Sequence, residues 1–256
     1  MDLKLDITSE ENDFYHVIQP VINLITNDVY GYEVLLRSQQ VQNPKLLFDN
    51  AREHNQLVNV DISSIFKAFE TLNQGGVPIK DKRILVNVFP STLVDTSFYY
   101  HLQQLKSYLG SVSNNVVIEI NEAEKEMELF IVKEVAQEIR KDGFLIALND
   151  LGKGEWTLRS ILEINPDIAK IDRYFAKDLA ESPKKQKALK FMLMLLREDA
   201  EVIVEGFESE PDLQKAKELG VPYGQGYLLG KPKPIKYYMP GVYPSEYRRL
   251  WRLQDG

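Results

Sequence analysis

The stretch Gly143–Gly154, GFLIALNDLGKG, runs from apolar residues to an amide and a carboxylate, Asn149 and Asp150, and then to a loop with Gly152 and Gly154. A buried strand ending in polar groups ahead of a glycine loop can hold chemistry above an apolar floor. Taken alone, the stretch is equally an ordinary Asn-Asp-Gly turn. The same device recurs along the chain, however. Short apolar runs end in or carry Glu33 (with Arg37 four residues on), Asn87, Glu119 and Glu122, Lys170 and Asp172, Glu205 and Glu208, and Gln225. Carboxylate and amide oxygens, without cysteine or clustered histidine, suit Mg²⁺ or Mn²⁺. Several carboxylates on one rim can hold two cations about 4 Å apart, an arrangement suited to phosphodiester hydrolysis. Lys170, surrounded by acids, reads either as a charge partner or as a general base or electrophile beside an activated water. His16, His54 and His101 read as structural or surface residues.

The elements that must position these groups alternate between two periods. Extended runs are predicted at Tyr15–Leu24, Val29–Leu36, Ile84–Val88, Val116–Ile120, Phe144–Leu148, Ile168–Ile171, Val202–Val204 and Gly224–Leu228. The first two could form a hairpin about the Asn27-Asp28 turn. Helical spacing is predicted over Pro44–Arg52, Asp61–Asn73, Phe98–Leu109, Glu124–Arg140, Trp156–Ile164, Lys184–Asp199 and Pro211–Leu219. A terminal helix is predicted over Tyr243–Arg252, its aromatic residues packing on the body of the domain. About eight strands alternating with helices predict an α/β fold with a parallel sheet, and the length favours a closed (β/α)8 barrel. An open doubly wound sheet is the alternative, weakened because no glycine-rich nucleotide fingerprint follows the first strand. The reading is a single domain: a polar lead-in over residues 1–12, then a barrel with its C-terminal helix over 13–256. In such a barrel the strand ends share one mouth, where unpaired polar groups are costly unless they bind something.

Composition narrows the functions. The 256 residues are 44% hydrophobic and 27% charged, with a formal net charge of −7. That balance argues against a general grip on DNA or RNA, which needs a basic face. With no cysteine, disulfides, thiolate metal sites and cysteine nucleophiles are absent. The acidic N-terminal stretch does not resemble a signal peptide, and no apolar run is long enough to span a bilayer. The expectation is a soluble cytoplasmic protein without a membrane segment.

Gln19-Pro20-Val21 followed by Tyr32-Glu33-Val34-Leu35-Leu36-Arg37 resembles the opening of the EAL-domain cyclic di-GMP phosphodiesterases, with Glu33-Val34-Leu35 standing for Glu-Ala-Leu. Val86-Asn87-Val88, Glu119-Ile120-Asn121-Glu122, Asn149-Asp150-Leu151-Gly152-Lys153-Gly154, Lys170-Ile171-Asp172, Glu205-Gly206-Phe207-Glu208 and Gln225-Gly226-Tyr227 resemble further family motifs, in the family's order. The resemblance implies a modified (β/α)8 barrel, often a homodimer, and Mg²⁺- or Mn²⁺-dependent opening of cyclic di-GMP to linear pGpG. By match of position, Glu33, Asn87, Glu119 and Asp150 would ligate metal, and Glu205 would ligate or support it. Asn149 and Asp172 count among the rim's metal-facing oxygen donors. Lys170 would bind or deprotonate the attacking water, with Glu33 and Glu205 sharing the catalytic centre. Gln225 would hold the water and metal shell, Gln19 and Arg37 would hold the dinucleotide, and Glu122 would brace the Asn149–Gly154 loop.

The departures bear on activity. Asn149 stands where the family has a metal-bridging aspartate, and an amide offers one neutral carbonyl oxygen. Leu151 and Lys153 replace the loop's Phe and Thr, and Asn121 replaces a Thr. Weak or conditional phosphodiesterase activity is one expectation. A degenerate domain that binds cyclic di-GMP or a protein partner without cleavage is another. A different Mg²⁺ barrel enzyme using Lys170 on a carbon acid is a third.

Overall fold

The computed structural model of the chain describes residues 14–39, 44–74, 81–121, 129–154 and 156–238. The polar lead-in, Glu122 and the terminal helix over 243–252 lie outside the described residues.

Eight strands close into a barrel in sequence order. They are β1 (Phe14–Asn23), β2 (Val29–Ser38), β3 (Arg83–Val88), β4 (Val116–Ile120), β5 (Leu145–Leu151), β6 (Ile168–Ile171), β7 (Glu201–Val204) and β8 (Tyr223–Gly224). The helices are α1 (Pro44–Glu53), α2 (Leu57–Gln74), α3 (Pro90–Leu93), α4 (Thr96–Leu109), α5 (Leu129–Lys141), α6 (Leu158–Ile164), α7 (Pro183–Leu196) and α8 (Glu210–Glu218). From β2 to β8 the strands are parallel. β1 runs antiparallel to both of its neighbours, β2 and β8, and forms the hairpin with β2.

Period-2 alternation explains the two cores. Ile84, Val86 and Val88 of β3, Val116, Ile118 and Ile120 of β4, and Val202 and Val204 of β7 face outward and pack under the helices. Val21, Leu85, Val117, Ala147, Ile168 and Ile203 face inward as one apolar layer across the barrel. Interior layers of this kind make a barrel a packed core rather than a pore. Two residues further toward the mouth on the same strands stand Gln19, Asn87, Glu119, Asn149, Lys170 and Glu205. The polar set therefore rests directly on an apolar floor.

Local chemistry fixes where the helices start and stop. Thr157 and Ser160 form a reciprocal capping box at the start of α6. Asn165, left-handed at φ 48°, closes α6 ahead of Pro166. On α2, the buried Asp61 accepts a hydrogen bond from the Phe89 backbone N–H at 2.9 Å, tying that helix to the loop after β3.

Two expectations are corrected, and one element is added. β5 begins at Leu145 and continues through Asn149 and Asp150 to Leu151, past the expected end at Leu148. Opposite β6 its register shifts between Leu148 and Leu151, so Asn149 and Asp150 together face the one residue Lys170. This is a bulge, and Asp150 takes it at φ 58°. The last strand is only Tyr223–Gly224, because Gln225 onward turns so that the Leu228 and Leu229 N–H groups bond back to Phe207 and Gly226. Gln225 therefore sits just beyond the strand. The short helix Pro90–Leu93 was not expected. Pro90 opens it at a position where the missing N–H costs nothing.

Candidate functional site

The mouth centres on Lys170. Its ammonium is fully buried and lies 2.6 Å from Glu205 Oε1, 2.8 Å from Glu119 Oε1 and 3.2 Å from Glu33 Oε2. Glu33 is held from two sides: Asn87 Nδ2 donates to its Oε1 at 3.1 Å and Gln225 Nε2 to its Oε2 at 2.8 Å. The β3–β4 register sets Asn87 beside Glu119. Asn149 Nδ2 donates to Asn87 Oδ1 at 3.3 Å and Asn121 Oδ1 at 3.4 Å, and its own Oδ1 accepts the Asp150 N–H at 3.0 Å. The structure thus brings together Glu33, Asn87, Glu119, Asn149, Lys170, Glu205 and Gln225, drawn from seven strands or the residues just after them.

A cavity of about 640 Å³ opens onto this cluster. Glu33, Arg37, Asn87, Asn121, Asp150 and Lys153 are among its lining residues. Asp150 Oδ2 pairs with Lys153 Nζ at 2.6 Å. Arg37 Nη1 donates to the Leu36 carbonyl at 2.7 Å, which steadies the guanidinium at the wall.

Other expected residues do different work. Gln19 is buried and its Nε2 donates to the Gly230 carbonyl at 2.9 Å, so its amide braces the segment after β8. The Asp172 carboxylate accepts the Tyr174 N–H at 2.8 Å in the turn that leaves β6. That oxygen is spent on backbone, and Asp172 is not among the acids around Lys170. His16, read as structural or surface, is buried, lines the cavity and meets Ser64 Oγ at 3.2 Å. Burial, with Lys67 and Arg37 nearby, pushes its imidazole down to about 4. In β1 it shares the outward face of Ile18, which packs beneath α2, and pairs with Leu36.

The electrostatics of the cluster are lopsided: two buried carboxylates, Glu33 and Glu119, and the partly exposed Glu205 surround one ammonium. Burial alone would neutralise Lys170, but Glu119, Glu205 and Glu33 outweigh it and hold the amine well above its usual range. In the metal-free chain it stands as a charged donor among these acids. Burial pushes Glu119 up to about 8, against the pull of Lys170 and with the push of Glu33. Burial likewise raises Glu205 against Lys170, with Glu33 adding to the rise. Glu33 is pushed up by burial, but Lys170, Asn87 and Gln225 together hold it below the usual carboxylate range. Glu119 Oε2 is buried with no hydrogen-bond partner among the described residues.

Among the described residues no three acidic or histidine side chains stand as a ready metal-holding group, because the Lys170 ammonium lies between the glutamates. The donor set nevertheless fits a hard cation. It is all oxygen, it is formally negative, and it includes an orphaned carboxylate oxygen of the kind that such an ion satisfies.

Fold and mouth together define the class: a closed barrel of β/α units, its first strand reversed, with acids, amides and a lysine at the strand ends. The chain matches the EAL domain family over residues 2–232 and belongs to that family. The cyclic di-GMP phosphodiesterase PdeF of Escherichia coli K12 is 24% identical over 237 residues, 91% of this chain and 32% of PdeF. The chain spans about a third of the length of the curated relatives it matches. The EAL enzyme Bd1971, solved with cAMP and cyclic di-GMP bound, superposes with a TM-score of 0.81 at 24% identity, covering 90% of this chain and 65% of that one. Klebsiella pneumoniae BlrP1, solved as a manganese and cyclic di-GMP complex, gives 0.76 at 19%, covering 89% and 62%. Among the described residues no helix is long and apolar enough to cross a membrane.

Proposed function

We propose that this domain is a divalent-cation-dependent cyclic di-GMP phosphodiesterase, slowed by Asn149, which opens the cyclic dinucleotide to linear pGpG. The observation that carries it is the Lys170 ammonium bridging Glu33, Glu119 and Glu205 behind a cavity walled by Arg37 and Lys153. Curated relatives bear that activity in their names.

The cavity supports a dinucleotide on chemical grounds. Arg37 offers a planar fork to a phosphate. The far wall carries Phe48 and Phe89, ring centroids 4.8 Å apart edge to face, with the Arg52 guanidinium 5.4 Å from the Phe89 ring. Such a face suits a purine ring. Glu33, Asn87 and Glu119 would hold Mg²⁺ or Mn²⁺, with Glu205 supporting them and Asp150 offering a further carboxylate at the rim. When bound, the cation supplies Lewis-acid polarisation of the scissile phosphate.

The chain's own groups do the rest. Glu205, at the edge of the cluster and raised toward neutrality, takes the proton of the attacking water. Lys170 orients that water through a charge-assisted hydrogen bond and balances the developing negative charge. The bond between phosphorus and the ribose 3′ oxygen breaks, and the leaving oxygen takes its proton from solvent at the open mouth. Gln225 and Asn87 keep Glu33 ionised and aimed.

Binding without cleavage is the second reading, favoured by the donor that Asn149 presents where the family has a carboxylate. Steady-state turnover with Mg²⁺ and with Mn²⁺, for the wild type and Asn149→Asp, separates the two, alongside calorimetry with the dinucleotide. Turnover in the wild type that rises in the variant is the expected result. Tight binding with no wild-type turnover leaves the second reading, and no binding at all ends both.

The family's homodimer belongs to the same proposal. Phe130 and Ile131 of α5 and Leu158 and Leu162 of α6 are exposed on neighbouring helices. Light scattering at micromolar concentration gives the mass that tests it.

A further inference from the structure

The mouth holds two places where positive charge is wanted, and they are furnished differently. The inner one sets Glu33, Glu119 and Glu205 against the single ammonium of Lys170, with Glu119 Oε2 orphaned. The outer one, at Asp150, is already balanced: Lys153 Nζ lies 2.6 Å from Asp150 Oδ2. The loop builds that pair in. The Lys153 N–H bonds the Asp150 carbonyl at 3.2 Å, and Gly152 takes φ 94° between them.

Asn149, between the two places, has both ends of its amide spent. Its NH₂ points at Asn87 and Asn121, and its oxygen accepts from Asp150. A cation shared between the places needs an acceptor there, and the chain presents a donor.

We propose that the mouth binds one divalent cation, at the inner place, and that the Lys153 ammonium stands in for a second one beside Asp150. This rests on the phosphodiesterase reading of the site and specifies its metal count. An ammonium supplies positive charge toward a phosphate but cannot activate water as a divalent ion does. A half-exposed pair contributes little to folding, so its effect falls on occupancy of the outer place.

The test is a Mn²⁺ titration of the chelator-stripped full chain, followed by calorimetry and by electron paramagnetic resonance of free Mn²⁺. One Mn²⁺ per chain is expected in the wild type and in Lys153→Ala. Asn149→Asp gains a second site, and Asn149→Asp with Lys153→Ala binds that second ion about tenfold more tightly than Asn149→Asp alone, since a like charge has been removed. Two ions or none in the wild type overturns the proposal, and so does a second site of equal affinity with and without Lys153. The wild-type count decides by itself should a variant fail to fold by thermal melting. Two ions with turnover would sink this inference and leave the phosphodiesterase standing. One ion without dinucleotide binding or turnover would do the reverse.

Discussion

Replacing Glu119 with glutamine should make the metal-free domain more stable at alkaline pH and leave it unchanged at pH 5. Glu119 is fully buried, touches Lys170 through one oxygen and leaves the other without a hydrogen bond. Burial carries its carboxyl from an ordinary 4.5 to about 8. Between those values the native chain holds a proton that the unfolded chain has released, so stability falls as pH rises through that window. At about 1.4 kcal/mol for each pH unit, the gap sets a loss of about 5 kcal/mol, nearly complete by pH 9. Glutamine keeps the shape and cannot ionise. Urea unfolding in the presence of a chelator, at intervals from pH 5 to 9, should give curves that coincide at pH 5 and diverge by about 4–5 kcal/mol at pH 9. Parallel curves across the range would refute the account of Glu119 as a buried acid lacking sufficient counter-charge. Saturating Mn²⁺ should flatten the wild-type profile and leave that of Glu119→Gln far less changed.

Lys170→Met should abolish turnover and cost about 3–5 kcal/mol at neutral pH, because it strands the buried Glu33 and Glu119 beside Glu205, with the penalty shrinking toward pH 4 as they protonate; chemical unfolding at both pH values reads it. Gly152→Ala should lower the melting temperature, since a Cβ there would lie 2.4 Å from the Phe175 ring at φ 94°, a strain of about 1–3 kcal/mol. The His16 ring should show no proton uptake by NMR between pH 8 and 5, its imidazole being held down to about 4.

Much of the barrel is legible in the sequence because its strands are short, apolar and β-branched. Val116–Ile120 and Ile168–Ile171 coincide with β4 and β6 residue for residue. Their alternation is also why Glu119 and Lys170 could be assigned to one interior: each sits two residues beyond an apolar partner, Val117 and Ile168. The bulge in β5 leaves no such trace. It arises from pairing with β6, a partner remote in sequence, and only the left-handed tolerance of an aspartate at position 150 hints at it. Asp172 shows that a strand-end acid can serve a turn as readily as a cation: here one of its oxygens accepts the Tyr174 N–H. Likewise the burial of His16 depends on α2 crossing over β1 to bring Ser64 close, a contact 48 residues away in sequence.

The reversed first strand has a further consequence. Phe14 pairs with Ser38, the last residue of β2, so β1 starts at the mouth and runs down into the barrel. Polypeptide joined ahead of Phe14 thus enters at the rim near Arg37, whereas a uniformly parallel barrel would receive it at the opposite end. A tug or a twist applied through that junction reaches the wall of the cavity within one strand, without having to cross the molecule.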